Sequence, residues 1–228
     1  MANLHHYQAS PAAKTLHAIR LEIKRIKIVL KLTRTVVSDF PASGHYAPFR
    51  TIFKQAQKIR SPGIERELLL RYKIEAKPPI KKKEVTPLKD STVFVDRIPS
   101  YVALIKEKER ELTGDLRKVS KHDIRAYTRR MKKRLERQLP PAGNLTMLHH
   151  KRKTAKAILY SSEIVRKRRA RLDPFFDHLQ RSMGEWHDRR MLLGSLKKKG
   201  DEATLLRIKE ECRTELQAIR GLCISFYR

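Results

Sequence analysis

In the stretch Leu16 to Lys31, LHAIRLEIKRIKIVLK, one imidazole, one of the two guanidiniums and several ammonium groups recur at helical intervals. Counting about 100° per residue from His17, Arg20 falls at about 300°, Lys24 at about 340°, Lys27 at about 280° and Lys31 at about 320°. They make a narrow cationic stripe about 21 Å long. Donors of this kind, lined up at short spacing, hold anions rather than break bonds. Arginine offers a planar fork matched to phosphate oxygens, lysine a mobile point charge, and protonated histidine two N–H donors. Like charges stacked at i, i+3 and i+4 repel, and an anion lying along the stripe relieves that repulsion.

A second stretch, Leu148 to Glu163 (LHHKRKTAKAILYSSE), repeats the scheme, with His149, Arg152 and Lys156 at the offsets of His17, Arg20 and Lys24. Each stripe has an apolar neighbour. Leu16, Ile19, Ile23, Ile26 and Leu30 gather between about 180° and 260° on the first helix. Leu148, Ala155 and Ile158 supply the apolar side of the second. A surface helix ordinarily sets its charges opposite its core face, whereas these cations border it. That places them at the lip of a packed interface or along a cleft. For either stretch alone, a basic helix whose long side chains snorkel to water is an equally good account. The repetition argues against it.

The elements that must position these groups read as helices throughout. The pattern predicts a first helix over 12–37, a second over 48–59, and a third starting at Ser61-Pro62, a cap followed by a first-turn proline. A further helix spans 100–139 with a break near Gly114, and residues 117–139 hold ten Lys or Arg against two acids. The repeat helix then runs to the basic cluster Arg166–Arg171, and Asp173-Pro174 opens the next. A last long helix, richer in acids, starts at Asp201. Residues 1–13 read as a lead-in. Residues 77–96, with Pro78, Pro79 and Pro87 among lysines, read as a long loop, extended at Val93–Val95. Pro140-Pro141 is the strongest break and divides the chain into an N-terminal half, 1–139, and a C-terminal half, 140–228.

The charge balance narrows the partner. Among 228 residues, 53 Lys and Arg face 24 Asp and Glu, a formal +29, which points to a polyanion. Nucleic acid, an anionic membrane surface and inorganic polyphosphate are the classes to weigh. Hydrophobic content of 40% and only eight glycines exclude a disordered basic tail. No apolar run approaches a membrane span, the N-terminus lacks a secretory pattern, and no oxidising compartment is suggested. The expectation is a soluble protein of the cytoplasm that uses no membrane partner. Cys212 and Cys223 lie about three turns apart in one helix, too far to bridge. No glycine-rich phosphate loop, metal-ligand set or catalytic constellation is apparent, so neither a metal, a cofactor nor an enzymatic activity is expected.

The likeness between the halves extends beyond the stripes. Aligning KQAQKIRS (Lys54–Ser61) with RSMGEWHD (Arg181–Asp188) also matches Phe49 with Phe176, Ile52 with Leu179 and Lys54 with Arg181. A duplicated helical unit of this kind is expected to pack about a pseudo-two-fold axis that turns the two stripes toward one cleft.

Three segments in order carry a resemblance to a known family. They are LHAIRLEIKRIK with its His-x-x-Arg-x-x-x-Lys pattern, LHHKRKTAKAILYSSE with Tyr160 and Glu163, and LQRSMGEWHD with Gly184 and Asp188. Together they resemble the conserved-histidine α-helical (CHAD) domains over about 12–228. The resemblance implies an all-α fold of two pseudo-symmetric four-helix bundles around a central basic groove or pore. It implies inorganic polyphosphate as partner, association with polyphosphate granules, and no catalysis by the domain itself. The expected polyphosphate-binding set is His17, Arg20, Lys24, Arg25, Lys27, Lys31, Arg50, Lys54 and Arg60 in the first half. In the second it is Arg181 with the repeat-helix residues His149, Arg152, Lys153 and Lys156, and Arg125 and Arg129 come from the helix before the break. Where the first half has Gln57 and Ser61 the second has Gly184 and Asp188, and where it has Arg25 and Lys27 the second has Ala157 and Leu159. The first half should therefore carry more of the anion contacts.

The alternative partner is RNA or DNA, held through its phosphates. Aromatic residues are only 7% and lie along core faces, which leaves no evident platform for stacking bases. Gly184 is read as permitting close helix packing, Trp186 as filling a gap, and Asp188 as orienting a cationic side chain.

Overall fold

The computed structural model describes residues 1–74, 89–138, 145–165, 174–196 and 201–225, and every regular element among them is a helix. In chain order these are α1 (Ala2–Ala9), α2 (Ala13–Thr33), α3 (Ala42–Arg71), α4 (89–96) and α5 (Ile98–Arg117). There follow α6 (Lys121–Gln138), α7 (Leu145–Val165), α8 (Pro174–Leu196) and α9 (Glu202–Ser225). The all-α class read from the periodicity stands. No helix among the described residues is long and apolar enough to cross a membrane.

The chain divides into two compact units, Met1–Ser120 and Lys121–Arg228. This division falls one helix earlier than the 139/140 break read from Pro140-Pro141, because α6 packs extensively on α7. Pro140 and Pro141, most of the Lys77–Lys89 run, the Arg166–Arg171 cluster and Asp173 lie outside the described residues.

In the first unit the apolar stripe of α2 does what its spacing requires. Leu16, Ile19 and Ile23 pack with Phe49, Ile52 and Ala56 of α3. Phe94 of α4 and Ile98 and Tyr101 of α5 complete this core, and Leu4 and Tyr7 of α1 close its end. A second cluster joins Leu30 of α2 to Phe40, Ala42 and Leu112. The last turns of α2 are enclosed more widely than the stripe foresaw, since Ile28 and Leu32 are also buried.

Four local readings change. The expected lead-in is helix α1, whose Tyr7 hydroxyl pairs with Ser91 Oγ at 2.8 Å and whose ring meets Phe94 edge-on. Val93–Val95, read as extended, lies in α4, where burial of Phe94 outweighs the strand preference of the valines. The second and third helices are one continuous α3 that contains both Pro48 and Pro62. A proline removes one rung and crowds the turn before it, yet packing decides whether the helix continues. Gly114 lies within α5, and the chain breaks only at residues 118–120.

The second unit is built from α6 to α9. Phe176, Leu179 and Met183 of α8 are buried together with Leu148, Ala155 and Ile158 of α7, the positions that match the α3 and α2 core residues. Thr128 of α6 donates to Ser161 Oγ of α7 at 2.8 Å. Arg189 of α8 bonds Glu211 at 3.3 Å and also Glu215, tying α8 to α9. Asp201 caps α9, its Oδ1 accepting the Thr204 N–H at 2.8 Å. Cys212 and Cys223 are buried free thiols on that helix.

Candidate anion-binding faces

The stripe of α2 is seated on aromatic side chains of α3. The Arg20 guanidinium lies 4.6 Å from the Phe53 ring centre, and Lys24 Nζ lies 5.7 Å from the same ring. One turn further on, Lys27 Nζ stands 4.8 Å from the Tyr46 ring. Each such contact contributes about 0.5–1 kcal/mol where water has access. More to the point, the rings fix where the charges sit.

Arg20 and Lys24 are half-buried, and Arg20 is the more constrained. Its Nε is buried with no hydrogen-bond partner. Desolvation, with repulsion from Arg60 second, lowers its pKa to about 10. A guanidinium dehydrated to this extent, and pushed by another cation instead of paired with a carboxylate, is a strong site for an incoming anion.

The matching face of the second unit is made by α7 and α8. Arg152, the counterpart of Arg20, is likewise half-buried, and its Nε too is buried without a hydrogen-bond partner. Its pKa is lowered by burial, with Asp188 and Tyr160 acting in the opposite direction. The expected orienting role of Asp188 agrees with that pull. One Arg152 terminal nitrogen sits 3.0 Å from the place a Cβ on Gly184 would occupy. Gly184 therefore makes room for a guanidinium, and the close approach it permits is to a side chain. The imidazoles gather beside it. The rings of His149 and His187 are 6.0 Å apart, and those of His149 and His150 6.4 Å.

Desolvation lowers the pKa of both His149 and His187. Lys153, His187, Arg152 and His150 add to the effect on His149. Arg152 and Lys156 add to it on His187, while Asp188 opposes them. His149, Arg152, His187 and Arg190 form part of the wall of a cavity of about 410 Å³.

The expected residues thus sort into three sets. Arg20, Lys24 and Lys27 come together in the first unit, with Arg60 acting on Arg20. His149, Arg152, Lys153 and Lys156 come together in the second through their mutual fields. The remaining residues make other contacts or lie exposed, and the charge of one of them, Arg50, acts on Tyr46, the ring that Lys27 meets. Arg25 bonds Glu22 at 2.6 Å and Arg181 bonds Asp177 at 2.7 Å, ion pairs of neighbouring turns that hold each arginine along its own helix. His17, Lys31, Arg50, Lys54 and Arg125 are exposed. Arg129 belongs to another surface, the outer face of α6, where Arg129, Arg130, Lys133, Arg134 and Arg137 surround Ala126 and a concavity of about 550 Å³.

His187 and Arg190 are absent from the expected set. The first left a signal, because the alignment that matches Lys54 with Arg181 also sets His187 against Arg60. Lys151 was hidden in the run HHKRK. It is 1% exposed, its Nζ has no hydrogen-bond partner, and burial lowers its pKa, with Cys223 acting in the opposite direction. Among the described residues, no three His, Cys, Asp or Glu side chains stand close enough to hold a metal ion. No protein-family model, curated protein or solved structure matches this chain.

Proposed function

We propose that this chain is an inorganic polyphosphate-binding module, gripping phosphate oxygens with cations from duplicated helices. The observation that carries the reading is the pair Arg20 and Arg152. They stand at equivalent places in two helix pairs, and each keeps a buried Nε without a hydrogen-bond partner. A phosphate polymer has closely spaced negative oxygens and no bases to be read, so it asks for fixed donors and little else. Arg20, Lys24 and Lys27 supply these in one unit, and His149, Arg152, Lys153 and Lys156 in the other. The resemblance to CHAD domains belongs to the same proposal, as do the pseudo-symmetric bundles around a basic groove, the granule association and the absence of catalysis by this chain. A cytoplasmic location fits such a partner.

The outer face of α6 favours a second reading, in which the chain holds RNA or DNA by its phosphates. Five cations crowd that face, and none of them makes an ion pair with an acid among the described residues. An exposed basic helix face of this sort suits a sequence-independent phosphate backbone. Competition separates the readings. Long-chain polyphosphate displaces the protein from nucleic acid at matched phosphate concentration if the first is right, and nucleic acid displaces it from polyphosphate if the second is.

The direct test is the triple variant Arg20→Glu, Lys24→Glu, Arg152→Glu. It abolishes polyphosphate binding in a titration while helicity by circular dichroism is retained. Undiminished binding by a folded variant removes both arginines from the mechanism.

A further inference from the structure

The cavity between α7 and α8 has more than cations in its wall. Leu148, Met183 and Trp186 also line it, and all three are otherwise buried. A bare phosphate chain gains nothing from an apolar floor and loses hydration by lying against one. The volume, about 410 Å³, lies within the range of small-molecule sites. The polar groups are also of a particular shape. His149, His187 and Trp186 are flat rings, and the Arg190 guanidinium lies 5.9 Å from the Trp186 ring centre. Flat, π-rich walls around an apolar floor suit a flat ring in the ligand.

We infer that this cavity binds a compact aromatic phosphate ester: the phosphate is held by Arg152 with His149, His187 and Arg190, and the ring rests on Leu148, Met183 and Trp186. Nucleotides and simple aryl phosphates share this chemistry. The inference rests on the reading of Arg152 as a phosphate ligand, and needs neither a polymer nor the first unit. Gly184 contributes by letting the guanidinium reach the cavity wall from α7 without being displaced by a methyl group. Asp188, whose charge acts on both Arg152 and His187, counters their mutual repulsion and holds them ready for the anion.

Trp186 is the single tryptophan of the chain and lines this cavity, so its emission is a local probe of it. The experiment titrates the full chain with methyl phosphate, phenyl phosphate and adenosine monophosphate, following that emission and confirming each affinity by calorimetry. The three share a phosphate monoester of like charge and differ in the body it carries. Phenyl phosphate and adenosine monophosphate are expected to saturate at concentrations roughly tenfold or more below methyl phosphate, a gain in line with burying one ring. Preference for one of those two identifies the source of the ring. Arg152→Gln is expected to weaken all three esters alike. Equal affinities for the three esters overturn the inference while leaving the phosphate grip intact. No saturable binding of any ester, by a protein that still binds long-chain polyphosphate, overturns it and spares the polymer reading. Failure to bind polyphosphate as well sinks both.

Discussion

Arg152 and Gly184 form a pair whose physics gives two opposite effects from one methyl group. An alanine at 184 removes the backbone freedom of glycine within α8, which favours the helix by up to about 1 kcal/mol. Its Cβ meets the far end of a flexible side chain, so the guanidinium moves and the helix does not. Gly184→Ala should therefore leave the melting temperature unchanged or raised while weakening phosphate binding in the second unit. Thermal melts paired with titrations check this, and unaltered affinity would count against the placement of Arg152. The histidines add a pH dependence whose sign is fixed by their surroundings. In the free protein, His149 and His187 hold their protons less tightly than the ordinary 6.5, chiefly through burial and then through the cations around them. A bound phosphate favours the charged imidazoles, so binding takes up protons, and affinity should rise as pH falls from about 7.5 to about 5.5. Calorimetry in two buffers of different ionisation enthalpy reads the protons directly. At this scale the sequence was most informative where residues repeat. Arg20, Lys24, His149 and Arg152 were visible because two helices carry them at the same offsets. Arg25 and Arg181 each bond an acid three or four residues away, a contact that spacing allows but does not compel.

Helices α7 and α9 share an unusual burden in Lys151. The amine is fully enclosed without a hydrogen-bond partner, so its charged form is disfavoured in the folded unit. Its folded pKa lies below the 10.5 of an exposed lysine, mainly through desolvation. Between the folded value and 10.5 the unfolded chain binds the proton that the folded chain sheds, and stability there rises with pH. Below the folded value the penalty is present in full. Lys151→Met should raise the unfolding free energy at neutral pH by about 1–3 kcal/mol and flatten that rise, as denaturant titrations at several pH values would show. Neither the burial nor the cost was legible in HHKRK, where Lys151 looks like its neighbours. Its position on α7 settles the matter, because the stripe and the core meet within one turn of that helix. Element identity was easier to read than element ends. The apolar faces of α2, α8 and α9 followed from their periods, whereas Pro62 and Gly114 suggested boundaries that packing overrode.

Across the whole molecule, the formal charge of +29 favours the proposal of a polyanionic partner without placing it. Among the described residues most of the cations are exposed, and only a few are dehydrated. The division of the chain shows the same limit. The double proline looked like the border of two halves, yet α6 belongs with α7, so a strong local break need not be a border between folding units. What the repeat did convey is a set of matched positions: Phe49 and Phe176, and Ile52 and Leu179, are buried alike, and Arg20 and Arg152 each keep a buried Nε without a hydrogen-bond partner, though their neighbours differ. That match is the centre of the account, and it makes the two arginine Nε–H groups the sharpest reporters. The deciding measurement is a proton–nitrogen correlation spectrum of the arginine side chains, titrated with long-chain polyphosphate and assigned by Arg20→Lys and Arg152→Lys. The Nε–H signals of both Arg20 and Arg152 should shift and become slower to exchange with water, ahead of the exposed arginines. Unmoved Arg20 and Arg152 signals at saturating polyphosphate, with shifts confined to exposed arginines such as those of α6, would contradict it.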